Sequence, residues 1–385
     1  MVSDALATKP ARGHIPEDRI TLFLAGDVMT GRGIDQILPH PVPPRLHEPW
    51  VQDARRYVEL AEAAHGPIPK PVAFSYPWGE ALAEWARAAP DLRIVNLETA
   101  ITTSEDWWPA KGIHYRMHPN NAPCLDVAGI DCCVLANNHV LDWHYRGLVD
   151  TLLTLEHARI KAAGAGPDAA RARAPAELPV PGKGRVLVFA AGCGSSGIPD
   201  EWAAGSDRPG VHRLPDLSAA TLEGIAAQVQ ALKGPRDLAI ASLHWGGNWG
   251  YRIPPAHRQF AHGLIDRAGI DLVHGHSSHH PLAMELYRDR LILYGCGDFL
   301  NDYEGIGGYE EFRGDLVLMY FPTLAIGSGT LLRLELVPLK IYRLQLKRPA
   351  AVEVEWLRAR LDRECRPFGL TVRHVSATHL RLERL

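Results

Sequence analysis

The sequence predicts an α/β fold whose strands deliver polar residues to one crevice, and three observations carry that expectation. Short apolar runs recur at residues 20–25 (ITLFLA), 92–95, 130–135 (IDCCVL), 185–190 (RVLVFA), 237–243, 270–273 and 291–294, as strands buried in a sheet do. Stretches with helical spacing of apolar residues stand between many of them, the alternation of an α/β protein. Run after run then stops at a small polar cluster: Gly26-Asp27, Asn96-Leu97-Glu98, Asn137-Asn138-His139, His244-Trp245, and His274 to His280. In an open α/β sheet the carboxyl ends of the strands line the crevice where ligands bind.

With 385 residues the chain can bury a large core, and its net charge of -3 gives no global pull toward nucleic acid or an anionic membrane. No stretch approaches the ~18 to 20 apolar residues of a membrane span, and the first residues lack an apolar run of signal-peptide length. The expectation is a soluble, cytoplasmic protein acting on a small-molecule substrate, with neither nucleic acid nor membrane as a partner. Nothing in the composition specifies an oligomeric state. Six cysteines, Cys124, Cys132, Cys133, Cys193, Cys296 and Cys365, form no CxxC pair and read as buried free thiols.

Taken in order, residues 1–18 read as a polar, disordered arm. The strand at 20–25 delivers Asp27, a ligand candidate, and Gly31-Arg32-Gly33 makes a turn whose one guanidinium can clamp an anionic oxygen or pair with an acid. Residues 39–78 are rich in proline and in aromatics (Trp50, Tyr57, Phe74, Tyr76, Trp78) and carry a helix at 51–64. They form an excursion over one face of the domain, read as a long packed loop, with a substrate-shaping lid as the functional alternative. A helix at 79–89 leads to the strand at 92–95, whose alternation puts Asn96 and Glu98 on one side. The strand at 130–135 delivers Asn138 and His139 ahead of a helix at 145–158. Asp142, at the entry of that helix, can cap it or orient His139.

A strand at 185–190, a loop at 195–215, a helix at 222–232 and a strand at 237–243 bring the chain to His244. A helix at 256–268 then leads to a strand, a polar loop holding His274, His276, His279 and His280, and a second strand. Antiparallel strands at 315–321, 330–339 and 341–346, a helix at 352–364 and a final strand read as framework. Residues 19–346 are expected to form one catalytic domain, with 347–385 packed on it. Among the tryptophans, Trp107, Trp108, Trp245 and Trp249 point to an organic substrate, for which Trp245 is a binding candidate.

Two carboxylates, an amide oxygen and several imidazoles make a mixed ligand set that suits Mn, Fe, Zn or Co, as one or two divalent ions. The motifs LFLAGDVMTGRG, IVNLETAIT, VLANNHVLDW, SLHWGGNWGY, VHGHSSHH and LILYGCGDFLND resemble, in order and spacing, the CapA-type proteins named for bacterial poly-γ-glutamate capsule synthesis, whose domain is similar to calcineurin-like metallophosphoesterases. The resemblance implies a four-layer α/β/β/α sandwich of two mixed sheets with metal at the strand ends. It makes Asp27, Glu98, Asn138, His244, His276 and His279 metal ligands, Glu98 in the bridging place, and His139 the catalytic imidazole. Asp142 and Arg32 assist catalysis in this reading, with Arg32, Asn96 and Trp245 contacting substrate.

Four positions depart from the pattern: Met29 stands where a ligand histidine is usual, Ser277-Ser278 where histidine and proline are common, and His280 is extra. Capsule members are anchored to the membrane, and no anchor is read in this chain. The function expected is a metal-dependent hydrolase, foremost a phosphoesterase. The alternatives are a non-hydrolytic accessory protein of poly-γ-glutamate synthesis or export, a metal-dependent amide hydrolase, or a degenerate metal fold used for binding.

Overall fold

The computed structural model describes residues 18–385, so that all of the expected arm except Asp18 lies outside the described residues. Two large mixed sheets dominate a mixed α/β architecture. The larger runs Leu370–Ser376, His379–Arg384, Leu331–Ile341, Leu316–Ala325, Arg19–Val28, Leu92–Leu97, Cys132–Val134, Lys161–Ala163. The second runs Arg213–Leu214, Gly184–Cys193, Leu238–His244, Leu272–His276, Arg290–Leu293, Met284–Tyr287.

Alternation along Arg19–Val28 explains its apolar run. Phe23 and Ala25 face one apolar cluster while Ile20, Leu22 and Leu24 face another. The second of these clusters also holds Ile94 and Val134 from the larger sheet, and Val186, Val188, Ile240, Leu272 and Leu293 from the other, so the two sheets share it. Outside the larger sheet, Val58 and Ala61 of helix Arg55–His65, Trp85 of Ala81–Ala88, and Leu148 of His144–His157 complete the first cluster. Outside the second sheet, Leu222 and Val229 of Ala219–Leu232 and Phe260 and Leu264 of Pro255–Asp266 form a third.

Register sets the strand ends side by side. Asp27 lies opposite Asn96 on one neighbour and opposite Asp298, at the head of the short strand Asp298–Leu300, on the other. In the second sheet His244 lies opposite His276. Glycine permits the closest of these approaches: a Cβ on Gly26 would sit 1.8 Å from the Gly297 carbonyl, which itself accepts the Asp27 N–H at 3.1 Å.

Several elements differ from the expectation. The helix expected at 51–64 begins at Arg55, because Asp53 is taken up in a bridge to Arg45 and the chain turns into the helix after it, at Ala54. The strand expected to end at 273 continues to His276, so His274 and His276 belong to the sheet and the loop begins at Ser277, whose φ is 100°. Pairing on both sides, with Leu238–His244 and with Arg290–Leu293, holds it extended. The final strand is a hairpin, Leu370–Ser376 with His379–Arg384.

That hairpin is tied back to helix Ala81–Ala88 through Glu84, which accepts hydrogen bonds from Arg87 at 2.7 Å, from His379 at 3.0 Å and from Arg348. Burial alone would raise the Glu84 pKa, but these donors outweigh it and lower it to about 2. Replacing Glu84 by glutamine is expected to lower stability at pH 7 by about 1.5–3 kcal/mol, the worth of hydrogen bonds to a charged group, read from the urea midpoint. A carboxylate whose folded pKa is depressed stabilises fully above its unfolded pKa and loses that stabilisation as pH falls through the folded one. The gap between parent and Glu84→Gln should therefore close as pH is lowered from about 4.5 toward 2.

Candidate metal centre

Three carboxylates meet where the two sheets bring their strand ends together. Asp27 is fully buried, and its Oδ1 accepts from the Asn96 amide at 2.8 Å. The same amide nitrogen donates to Glu98 Oε2 at 3.1 Å, and the Asn96 oxygen accepts from the Asn137 amide at 3.0 Å. Asn96 is thus a bracket that holds two carboxylates. Asp27 Oδ2 is buried and has no hydrogen-bond partner. Asp298, the third carboxylate, accepts from His279 Nδ1 at 2.8 Å and from the Asn301 amide at 2.7 Å. Burial, and then the charge of Asp298, push the Asp27 pKa up to about 7. Burial followed by Asp27 and Asp298 drives that of Glu98 well above the carboxylate range.

Imidazoles close the other side. His244 and His276 place their Nδ1 atoms 2.8 Å apart, and His244 Nε2–H donates to Asn138 Oδ1 at 2.9 Å. Burial lowers the pKa of both rings well below the ordinary value, which keeps them in the neutral form that ligates metals. Burial would also lower His279, but the charges of Asp298 and Asp27 prevail and raise it. Two sets, Asp27 with His244 and His276, and Asp27 with His279 and Asp298, each offer ligand atoms lying within 4.8 Å of one another. A buried carboxylate oxygen without a partner, in a ring of carboxylates and neutral imidazoles, fits a divalent cation of the Mn, Fe, Zn or Co kind.

His139 stands at the edge of this set. Its Nδ1–H donates to Asp142 Oδ2 at 2.7 Å, its Nε2 faces Glu98 Oε1 at 3.8 Å, and its ring meets Tyr115 edge-on at 4.6 Å. Burial lowers its pKa to about 4, with the Asp142 charge opposing. Asp142 also accepts from the Tyr115 N–H at 2.7 Å, and its other oxygen pairs as an ion with Lys111 Nζ at 2.6 Å.

With that geometry in place, the comparisons decide the family. The model described as "Bacterial capsule synthesis protein PGA_cap" matches residues 21–303. The chain belongs to this family. Similar members from two strains of Mycobacterium tuberculosis, each named a "Probable polyglutamine synthesis accessory protein", are 49% identical over 356 residues, which is 92% of this chain and 93% of theirs. The "Capsule biosynthesis protein CapA" of Bacillus anthracis is 23% identical over 335 residues, covering 85% of this chain and 69% of its own. The "PGA biosynthesis protein CapA" of Bacillus subtilis is 27% identical over 257 residues, 66% of this chain and 62% of its own.

In this PGA_cap chain Asp27, Glu98, Asn138, His244, His276 and His279 come together, with His139 and Asp142 beside them. Asp27 belongs to both candidate sets, and Glu98, expected in the bridging place, shares the Asn96 amide with it. Asp298 was missed, although GCGDF repeats after the strand Arg290–Leu293 the run-then-aspartate signal already read at Gly26-Asp27. Three residues assigned to substrate are engaged elsewhere. Arg32 is 2% exposed, donating to Asp302 at 2.5 and 3.1 Å and to Glu48 at 3.1 Å. Asn96 is spent on Asp27 and Glu98. Trp245, one residue past His244 and therefore on the opposite face, lies in the third apolar cluster, stacks on His257 and donates to the Tyr294 carbonyl at 3.0 Å. Met29, at the usual histidine position, is buried and accepts from the Tyr303 hydroxyl at 3.5 Å.

Asp298→Asn should lower metal affinity by at least the ~10- to 100-fold that even an outer hydrogen-bond partner contributes. Asp27→Asn, which touches both sets, should remove more. Elemental analysis after equilibration with Mn or Zn measures both, and equal metal content in all three proteins would place the cation elsewhere.

Proposed function

We propose that this chain is a metal-dependent hydrolase whose first target is a phosphoester bond on a small organic molecule. The observation that carries the reading is the His139–Asp142 couple, with His139 Nε2 turned toward Glu98 at 3.8 Å at the edge of the Asp27 ligand set. In this reading Asp27, Glu98, Asn138, His244, His276, His279 and Asp298 hold one or two divalent ions. Such ions, when bound, polarise phosphoryl oxygens and lower the pKa of bound water. The protein's own part is positional. Asp142 fixes the Nδ1 proton of His139, which leaves the Nε2 lone pair to take a proton from the attacking water and hand it on to the departing oxygen, and Tyr115 limits rotation of the ring. Burial of the ligand side chains keeps bulk water from competing. We also infer that the two sheets are the inner layers of a four-layer sandwich, a reading supported by the three apolar clusters.

A second reading, an accessory role in poly-γ-glutamate synthesis without hydrolysis, is favoured by the names of relatives that match 92% of the chain at 49% identity. The metal-loaded protein should hydrolyse at least one member of a panel of phosphomonoesters and diesters with Mn, Co, Fe, Zn or Ni supplied. Binding of polyglutamate by metal-loaded protein that turns over nothing, neither phosphoesters nor amides, would put the accessory reading first.

Within the hydrolytic reading, His139→Ala is expected to keep most of the bound metal and lose ~10²-fold or more in turnover, the scale of general acid catalysis. His244→Ala should lose metal and activity together. Metal stripped by His139→Ala, or turnover within a few-fold of the parent, overturns this division of roles.

A further inference from the structure

Two cationic side chains bear on His139, Arg32 and Lys111. Arg32 is spent: its guanidinium donates to Asp302 and Glu48, and its faces are covered by the rings of Tyr57 at 3.8 Å and Tyr115 at 4.3 Å. Lys111 is placed differently. Its Nζ pairs as an ion with Asp142 Oδ1 at 2.6 Å, donates to the Ile113 carbonyl at 3.0 Å, and stands 3.0 Å from His139 Nδ1 and 5.6 Å from the centre of the Trp202 ring.

The last contact is a conflict. An imidazole Nδ1 either carries a proton or offers a lone pair. The shorter approach, 2.7 Å to Asp142 Oδ2, assigns it the proton, because a bare nitrogen facing a carboxylate at that distance would be repulsive. A proton on Nδ1 leaves nothing there for Lys111 to donate to. The Ile113 carbonyl satisfies one N–H, while Asp142 Oδ1, although 2.6 Å away, accepts no hydrogen bond, so the ammonium keeps N–H groups without an acceptor.

We infer that Lys111 receives an anionic oxygen of the substrate beside His139, an inference that rests on the hydrolytic reading of this site. The oxygen supplies an acceptor that the ammonium lacks. Access favours it: the Lys111 side chain is 15% exposed where that of Arg32 is 2%. Lys111 lies in a surface segment between exposed Ala110, whose φ is 59°, and exposed Gly112. The ammonium's field already extends to Glu98, where it opposes part of the rise that burial and the other carboxylates cause.

A phosphoryl oxygen and a carboxylate oxygen satisfy the same N–H, so inorganic phosphate and γ-glutamylglutamate are both used as probes. Calorimetry on metal-loaded parent, Lys111→Gln and Lys111→Arg measures their binding, with metal content and circular dichroism checked in each protein. The parent should bind at least one probe, and which one it prefers names the source of the anion. Lys111→Gln should bind that probe at least ~10-fold more weakly, the loss of one charge-assisted hydrogen bond, with metal content unchanged. Lys111→Arg should recover most of the affinity, and for any substrate found KM should rise more than kcat falls. Parent-like probe binding by Lys111→Gln with only kcat reduced would overturn the inference and make Lys111 a positioning residue for Asp142 and His139. A parent that turns over substrate yet binds neither probe overturns it as well and leaves hydrolysis standing. Probe binding that depends on Lys111 in a protein with no turnover supports the anion site and removes the hydrolytic reading.

Discussion

Asp27, Glu98 and Asp298 stand together with almost no contact with water, and that concentration of negative charge is the constraint around which the centre of the molecule is arranged. Buried carboxylates are costly unless something positive or a donor faces them. The chain answers with the Asn96 amide, which serves Asp27 and Glu98 at once, and with His279 and Asn301 on Asp298. What those donors leave unmet, Asp27 Oδ2 above all, is what a cation would satisfy. The same need explains why Asn96 is hydrogen-bonded on both ends of its amide: a free rotamer would leave two carboxylates without a donor.

Backbone geometry makes such crowding possible. Asp27 and Asp298 belong to paired strands, and the Gly26–Gly297 contact is closer than any side chain would allow. On the facing sheet, pairing of Leu238–His244 with Leu272–His276 sets His244 against His276, while Ser242 lies 3.0 Å from both His274 and His276. His274 spans the gap between sheets by donating to the Ala25 carbonyl at 2.9 Å, so one histidine of the cluster is a structural tie. The four histidines crowded into residues 274–280 therefore divide into different uses. His276 and His279 face the centre, His274 joins the sheets, and His280 accepts from the Gly250 N–H at 3.1 Å and stacks on Phe312 at 4.7 Å.

The local signals were legible and the distant ones were not. Where an apolar run stops at a polar residue, one stretch of chain holds the whole message, and Asp27, Glu98, Asn138, His139 and His244 could be placed at strand ends from it. Alternation after His244 also carried the information that Trp245 must face away, but its aromatic character was given more weight. Arg32 could not be assigned from its neighbours, since its partner Asp302 lies 270 residues away. Lys111 is a single lysine in an irregular segment, and only the fold brings it to Asp142. Asp298 stood between these cases: its local signal was present, but its nearness to Asp27 depends on a strand pairing that no periodicity announces.

The strand Arg19–Val28 sits in the interior of the larger sheet, between Leu92–Leu97 and Leu316–Ala325. Thr21 and Thr323 approach to 3.0 Å between side-chain oxygens although 302 residues separate them. On the ribosome this strand therefore emerges long before one of its two main partners exists, a delay of roughly 15 to 60 s at ~5–20 residues per second. Through that interval a nearly all-apolar segment waits with one edge unpaired, the condition under which nascent chains bind holding chaperones or one another. A protein whose central strand is made some 302 residues ahead of the strand that closes its second edge is exposed during its own synthesis for longer than its finished fold would suggest.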